Sequence, residues 1–162
     1  MVDIQTVSIA VASAGVFVAA IYYILQLRNQ IRMRQSDLLM RMHLAFISRE
    51  FCDAALKVLS TDYEDYDDFL KKYGHPFAQG PVQAEFLMLG TYFEGIGFLA
   101  KRKLIDMNLV SELIPAAMFW EKARSMSEGL RKQLNQPRIF EWFEYLAHEQ
   151  EKCLQQKASR KA

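Results

Sequence analysis

The first apolar segment of the chain runs from Ile4 to Leu27 and contains no charged residue. As an α-helix it would extend roughly 36 Å, which exceeds the ~30 Å hydrocarbon core of a bilayer. Tyr22 and Tyr23 fall near the end that meets the charged residues, as aromatic side chains do at a membrane interface. The pattern therefore predicts an extracytoplasmic N-terminus and a transmembrane helix within residues 1–27, rather than a buried core helix.

The charges that flank this segment predict its orientation. Arg28, Arg32 and Arg34 follow it, whereas only Asp3 and the terminal amine precede it. The positive-inside rule places the N-terminus outside and residues 28–162 in the cytoplasm, with the arginines at the membrane interface. A cleavable signal peptide would instead carry basic residues ahead of a shorter apolar core. We expect a single-pass protein of the cell (inner) membrane, with the lipid bilayer as one partner.

Beyond the arginines, apolar residues continue at seven-residue spacing along one predicted helix face. They are Ile24, Ile31, Leu38, Ala45, Cys52 and Leu59. Because no Gly or Pro interrupts residues 16–73, the pattern predicts one helix that leaves the membrane and continues to about Ser60. Either packing onto other helices of the same chain or a dimeric coiled coil would bury this face.

The next segment predicts a connection and then another long helix. Residues 61–80 are polar and include a helical turn near residues 66–73. Pro81 suits the first position of a helix, and apolar residues then repeat on one face until the helix ends near Arg102. These apolar residues are Val82, Phe86, Leu89, Phe93, Ile96 and Ala100.

The last part of the chain predicts further helices. Asp106 is a suitable N-cap for the next helix. Pro115 should kink or restart the helix that begins at Asp106. The last helix is expected over residues 137–156. The predicted fold class is therefore all-α: the transmembrane helix continues into a cytoplasmic bundle of about four helices in residues 28–156, followed by a flexible tail at 157–162.

Composition narrows the function classes. The 20 basic and 19 acidic residues nearly cancel, and no basic strip interleaved with aromatic residues suggests a nucleic-acid partner. Cys52 and Cys153 are isolated, which excludes a disulfide scaffold and a four-cysteine zinc site. Cys52 falls on the apolar face and is expected in the core.

Motifs that carry chemistry are few. The paired Glu-x-x-His motifs of a di-iron bundle are missing, and Glu141, Glu144 and His148 are expected on a solvated face. The acidic run at residues 62–68 lacks the mid-loop glycine of a calcium site, so it is interpreted as a polar connection or a docking surface. We therefore expect no enzymatic activity, no catalytic residue, no metal site and no cofactor.

One polar group lies beside an apolar helix face. Gly90, Glu94 and Gly97 share a helical stripe, and the two glycines would open a groove next to the carboxylate. A carboxylate at a packing seam needs a partner, and Arg124 or Arg131 on a following helix is suitably placed. The stripe predicts either a structural ion pair or a pocket for a ligand or partner.

The transmembrane segment also contains small residues at four-residue spacing, namely Ala10 with Ala14 and Gly15 with Ala19. Helices in lipid associate through close backbone approach, which small residues permit. These residues either form a face that docks against another transmembrane helix, from a second copy or from a different integral-membrane protein, or are simply tolerated in a span.

Two motifs carry a resemblance to a known family. They are FEGIGFLAKRKLID, from Phe93 to Asp106, and PRIFEWFEYLA, from Pro137 to Ala147, with Trp120 between them. With the N-terminal span, they make the chain similar to an uncharacterised family of prokaryotic membrane-anchored helical proteins, known as a domain of unknown function. The resemblance implies a single-pass anchor with a cytoplasmic helical domain and no established chemistry. Lys103 stands where that family often has a glycine.

Two function hypotheses follow. The first is a membrane-anchored interaction or accessory protein that docks on a membrane complex or self-associates. The second is a membrane-anchored sensor that binds a small ligand in its helical domain.

Overall fold

The computed structural model describes residues 3–161, apart from the side chains of Thr6, Ala10, Arg160 and Lys161. Within this range the backbone forms α-helices and no β-strand, which confirms the all-α fold class. In chain order the helices are α1 (Ile4–Phe46), α2 (Arg49–Leu59), α3 (Tyr66–Tyr73), α4 (Gln83–Lys101), α5 (Met107–Leu113), α6 (Ala116–Leu134) and α7 (Glu141–Lys161).

The chain divides into an N-terminal unit, Met1–Asp37, and a helical domain, Leu38–Ala162. In the N-terminal unit, every described side chain from Asp3 to Arg34 is exposed. The stretch Val7–Phe46 is long and apolar enough to cross a membrane, and a signal sequence near the N-terminus would share these properties.

The helical domain is organised around α4 and α7, which pack against each other. Helix α6 packs on α7, α2 on α4, α3 on α6 and α5 on α7. At the centre, the Phe93 ring lies 4.6 Å from that of Phe143 and 5.2 Å from that of Phe119, measured between centroids. The six apolar positions predicted along α4 are all buried, which confirms that face.

The single helix predicted to Ser60 is interrupted, so that prediction was wrong. Helix α1 ends at Phe46, and Ser48 is extended and caps α2 by accepting a 3.3 Å hydrogen bond from the N–H of Phe51. A serine hydroxyl placed in this way competes with continuation of the helix. The break resets the helical phase, and Cys52, expected in the core, is exposed. The buried face of α2 consists of Phe51, Ala54, Ala55 and Val58.

The last helix starts later and ends later than predicted. Residues 137–140 form turns, and Phe140 has a φ of 54°, a conformation that an α-helix does not contain. Helix α7 therefore begins at Glu141 and continues to Lys161, through residues that were expected to form a flexible tail. Residue 162 lies outside the described part of the chain.

Lys103 takes a backbone conformation that glycine adopts more readily than other residues. Its φ is 57°, in the left-handed region. The N–H of Lys103 donates to the carbonyl of Ala100 at 3.0 Å, and the N–H of Leu104 donates to the carbonyl of Leu99 at 2.9 Å. This pair of hydrogen bonds is the Schellman ending of a helix, so the turn after α4 forms with a lysine at its left-handed position.

Candidate functional site

The stripe formed by Gly90, Glu94 and Gly97 faces α7 of the same chain. A Cβ atom on Gly90 would contact the ring of Phe140, and one on Gly97 would overlap the backbone carbonyl of Trp142. The two glycines therefore let the start of α7 approach α4 closely. We call these five residues the α4–α7 seam. The groove expected from the sequence is present, and it is filled by the chain's own residues.

Glu94 binds the first turn of α7. Its Oε2 accepts hydrogen bonds from the backbone N–H groups of Trp142, at 3.0 Å, and Phe143, at 2.8 Å. The first N–H groups of a helix have no acceptor within that helix, and this end carries the positive pole of the helix dipole. Glu94 is therefore an N-terminal cap supplied to α7 by a different helix.

The arginines predicted as partners of Glu94 bind other carboxylates. Arg131 pairs with Glu144 at 2.7 Å, and Arg124 pairs with Glu121 at 3.3 Å on the exposed side of α6. The predicted ion pair is replaced by backbone hydrogen bonds, because the free N–H groups of α7 already lie at the Glu94 carboxylate. Arg131 acts on Glu94 only through a weaker attraction that lowers its pKa.

Partial burial raises the pKa of Glu94 above that of an ordinary glutamate. The hydrogen bonds from Phe143 and Trp142 oppose this shift, and the charge of Glu141 adds to it. The folded protein therefore holds this proton more tightly than the unfolded chain does. The stability contributed by Glu94 is complete below its unfolded pKa of about 4.3 and is lost as the pH rises through its folded pKa.

We expect Glu94→Gln, which keeps one acceptor oxygen, to remove this pH dependence. Measured against the wild-type chain, the Glu94→Gln variant should gain stability as the pH rises above about 4, through the raised folded pKa of Glu94. Glu94→Ala should lower the free energy of unfolding by about 1–2 kcal/mol, because two N–H groups of α7 lose their acceptor. Denaturant unfolding of the full chain in detergent, followed by tryptophan fluorescence, measures both effects.

Glu141 provides a control, because its pKa is shifted in the opposite direction to that of Glu94. Its pKa is lowered by the hydrogen bond from Arg138, so its contribution is present above the unfolded pKa and is lost as the pH falls. Glu141→Gln should therefore lose relative stability as the pH rises. If the stability of both variants relative to the wild type changed in the same direction with pH, the raised pKa assigned to Glu94 would be contradicted.

Gln150 is a buried polar residue, 4% exposed, that was not predicted from the sequence. Its side chain accepts a hydrogen bond from the N–H of Ala117 at 2.8 Å and donates to the carbonyls of Ser111 and Ile114, at 3.1 and 2.6 Å. It therefore holds α7 against the connection between α5 and α6. The available signal was a glutamine three residues after Ala147, in phase with a buried helix face.

The small residues predicted as a packing face do not all share one side of α1. At about 100° per residue, Gly15 and Ala19 lie together with Ser8 and Ala12, whereas Ala14 is rotated by about 100° from Gly15 and by about 140° from Ala19. A Cβ atom on Gly15 would meet nothing within 4 Å. The side chain of Ala10 lies outside the described part of the structure. The geometry therefore favours the Gly15 side as the small surface.

The residues predicted at the membrane interface lie on the same helix. Tyr22, Tyr23, Arg28, Arg32 and Arg34 are all exposed along α1. Their order, two aromatic residues followed by three basic ones, is the order expected where a helix leaves a membrane.

The acidic run at residues 62–68 has a local structural use. Asp65 is the N-cap of α3 and accepts a hydrogen bond from the N–H of Asp68. The carboxylate of Asp68 in turn accepts from the N–H of Glu64 and pairs with Lys72 at 2.9 Å. Among the residues that the structure describes, no three His, Cys, Asp or Glu side chains are grouped as metal ligands.

Comparison with known proteins gives a family and no further relative. No curated protein and no solved structure matches the chain. The family model described as "Domain of unknown function (DUF4760)" matches residues 9–150, which include most of α1 and the whole α4–α7 seam. This chain therefore belongs to the DUF4760 family.

Proposed function

We propose that this protein is a membrane-anchored helical accessory protein that docks on an integral-membrane partner or on a second copy of itself. Helix α1 anchors it in the cell (inner) membrane with the N-terminus outside, and the helical domain lies in the cytoplasm. The protein acts by binding rather than by catalysis.

The observation that carries the proposal is the exposed apolar surface of α1. Side chains as large as Ile9 and Phe17 are 67% and 72% exposed, in a segment without a charged residue. An uncovered apolar helix of this length is unfavourable in water, since each such side chain gains about 1.5–3 kcal/mol on burial. Lipid around most of α1, with a helix against its small side, accounts for this surface.

The second hypothesis, a ligand sensor, has less support. It relied on a polar groove along Gly90, Glu94 and Gly97. That groove is occupied by Phe140 and Trp142 of the same chain, so a ligand would have to displace the start of α7.

We expect Gly15→Leu and Ala19→Leu to weaken association by about tenfold or more, because a leucine there separates the two helix backbones. A transmembrane-association reporter measures self-pairing, and co-purification of the full chain in mild detergent measures pairing with another protein.

Ala14→Leu is the matched control, since it adds the same side chain to α1 outside the side that carries Gly15 and Ala19. It should leave association unchanged. If the Gly15 and Ala19 variants behave like the Ala14 variant in both assays, the small side of α1 is not an interface.

A further inference from the structure

We propose that a basic and aromatic surface of the helical domain rests on an anionic lipid bilayer. This surface, the basic–aromatic patch, consists of Phe98, Lys101 and Arg102 on and just after α4 and of Trp142 and Tyr145 on α7. The inference relies on the membrane anchoring proposed above and adds a peripheral lipid contact outside α1.

The five side chains form one continuous surface. The ring centroids of Phe98 and Trp142 are 6.2 Å apart, and those of Trp142 and Tyr145 are 6.3 Å apart. The Nζ of Lys101 lies 4.6 Å from the centroid of Tyr145, and the Cζ of Arg102 lies 5.4 Å from that of Phe98. Each cation is therefore held over a ring at the edge of the patch.

The apolar part of the patch remains accessible. Phe98 is 40% exposed, and Leu104, which follows the basic run, is 50% exposed. Trp142 and Tyr145 are half-buried, so each presents only part of its ring. Aromatic side chains with one apolar and one polar end are the ones that favour the headgroup level of a membrane.

The charge of the patch favours an anionic occupant. Residues 101–103 are three consecutive basic residues. Two carboxylates near the rings are each paired with another cation, since Glu149 pairs with Lys152 at 2.7 Å and Glu141 pairs with Arg138 at 2.6 Å. Lys101 and Arg102 therefore place positive charge at the edge of the patch, and this charge would be attracted to anionic headgroups.

Anchoring explains why lipid is favoured over an acidic protein. A domain attached to a membrane helix meets the bilayer surface at a high effective concentration, so even a weak affinity is sufficient for contact. Two basic residues near an anionic surface would shift the ratio of docked to undocked domain by roughly 30-fold.

Trp142 makes the contact measurable in the full chain. The chain has two tryptophans, and Trp120 is only 2% exposed, which keeps it away from a lipid-borne quencher. The protein would be reconstituted in vesicles of phosphatidylcholine alone, or with about one third phosphatidylglycerol, carrying a spin label near the headgroup. Subtracting the emission of Trp142→Phe isolates the signal of Trp142.

We expect stronger quenching of Trp142 in the anionic vesicles, reduced by salt and lost in Lys101→Gln/Arg102→Gln. The control Lys71→Gln/Lys132→Gln removes the same charge from exposed positions on α3 and α6 and should retain the quenching. Equal quenching in both vesicle types, or equal effects of the two double variants, would overturn the proposal. Protection of Trp142 only by an added acidic protein would overturn it as well.

Flotation of the same samples separates this inference from the anchoring on which it depends. Protein that fails to float with the vesicles contradicts the anchor. Protein that floats without quenching of Trp142 contradicts only the patch.

Discussion

Gly97→Ala should destabilise the helical domain by about 2–3 kcal/mol, although alanine is the better helix former by about 1 kcal/mol. The added Cβ would overlap the carbonyl of Trp142, which is backbone and belongs to α7. Helix α7 would therefore have to move away from α4, which also weakens the hydrogen bonds from α7 to Glu94. Denaturant unfolding of the full chain in detergent, followed by far-ultraviolet circular dichroism, measures this loss.

Gly95→Ala is the matched control, two residues away on the same helix. A Cβ atom on Gly95 would meet nothing within 4 Å, so only the gain in helix propensity remains, and the variant should be about 0.5–1 kcal/mol more stable. If Gly95→Ala and Gly97→Ala changed the free energy of unfolding in the same direction, the close approach of α7 to α4 would be contradicted.

Gln150→Leu should have the second large effect and lower the free energy of unfolding by about 3–5 kcal/mol. The substitution leaves the N–H of Ala117 and the carbonyl of Ser111 without the side chain that binds them. The carbonyl of Ile114 also loses Gln150 but still accepts a hydrogen bond from the N–H of Ala116 at 3.0 Å. Each buried polar group left unsatisfied costs about 1–3 kcal/mol. The unfolding midpoint of the full chain in detergent, followed by tryptophan fluorescence, should fall accordingly.

Gln156→Leu makes the same chemical change at an exposed position of α7. It should alter the free energy of unfolding by less than about 0.5 kcal/mol. A Gln150→Leu variant as stable as the Gln156→Leu variant would show that the connection between α5 and α6 does not depend on this side chain.

Periodicity was sufficient to predict most of the helices. The turn predicted near residues 66–73 is α3, Asp106 caps α5, and the apolar face of α4 is buried as expected. Each of these features depends on local sequence, either the spacing of apolar side chains or a capping residue next to the helix. Such signals need no knowledge of what packs against the helix.

The interruption between α1 and α2 was missed because its signal is weak. Ser48 acts as an N-cap, but no Gly or Pro marks the place, and the apolar spacing continues across it. A single serine is compatible with either a helix interior or a cap. Tertiary packing of Phe51 and Val58, which are 4% and 1% exposed, distinguishes the two.

The polar chemistry of the seam was predicted in part. The stripe of Gly90, Glu94 and Gly97 indicated a close approach and a carboxylate that needs a partner. The partner proved to be backbone N–H rather than Arg124 or Arg131, because a sequence pattern does not show where another helix begins. Side-chain charges can be read along a chain, whereas the free N–H groups of a helix start cannot.

Thiol accessibility in intact cells tests the anchored topology most directly. Cys52 is exposed in the helical domain and can be labelled in a Cys153→Ser background. A second chain, with Val2→Cys and both native cysteines changed to serine, reports on the N-terminus. We expect an impermeant maleimide to label the thiol at position 2 and to reach Cys52 only after the membrane is permeabilised. Labelling of Cys52 in intact cells, or a mature chain that lacks its N-terminal segment, would contradict the account.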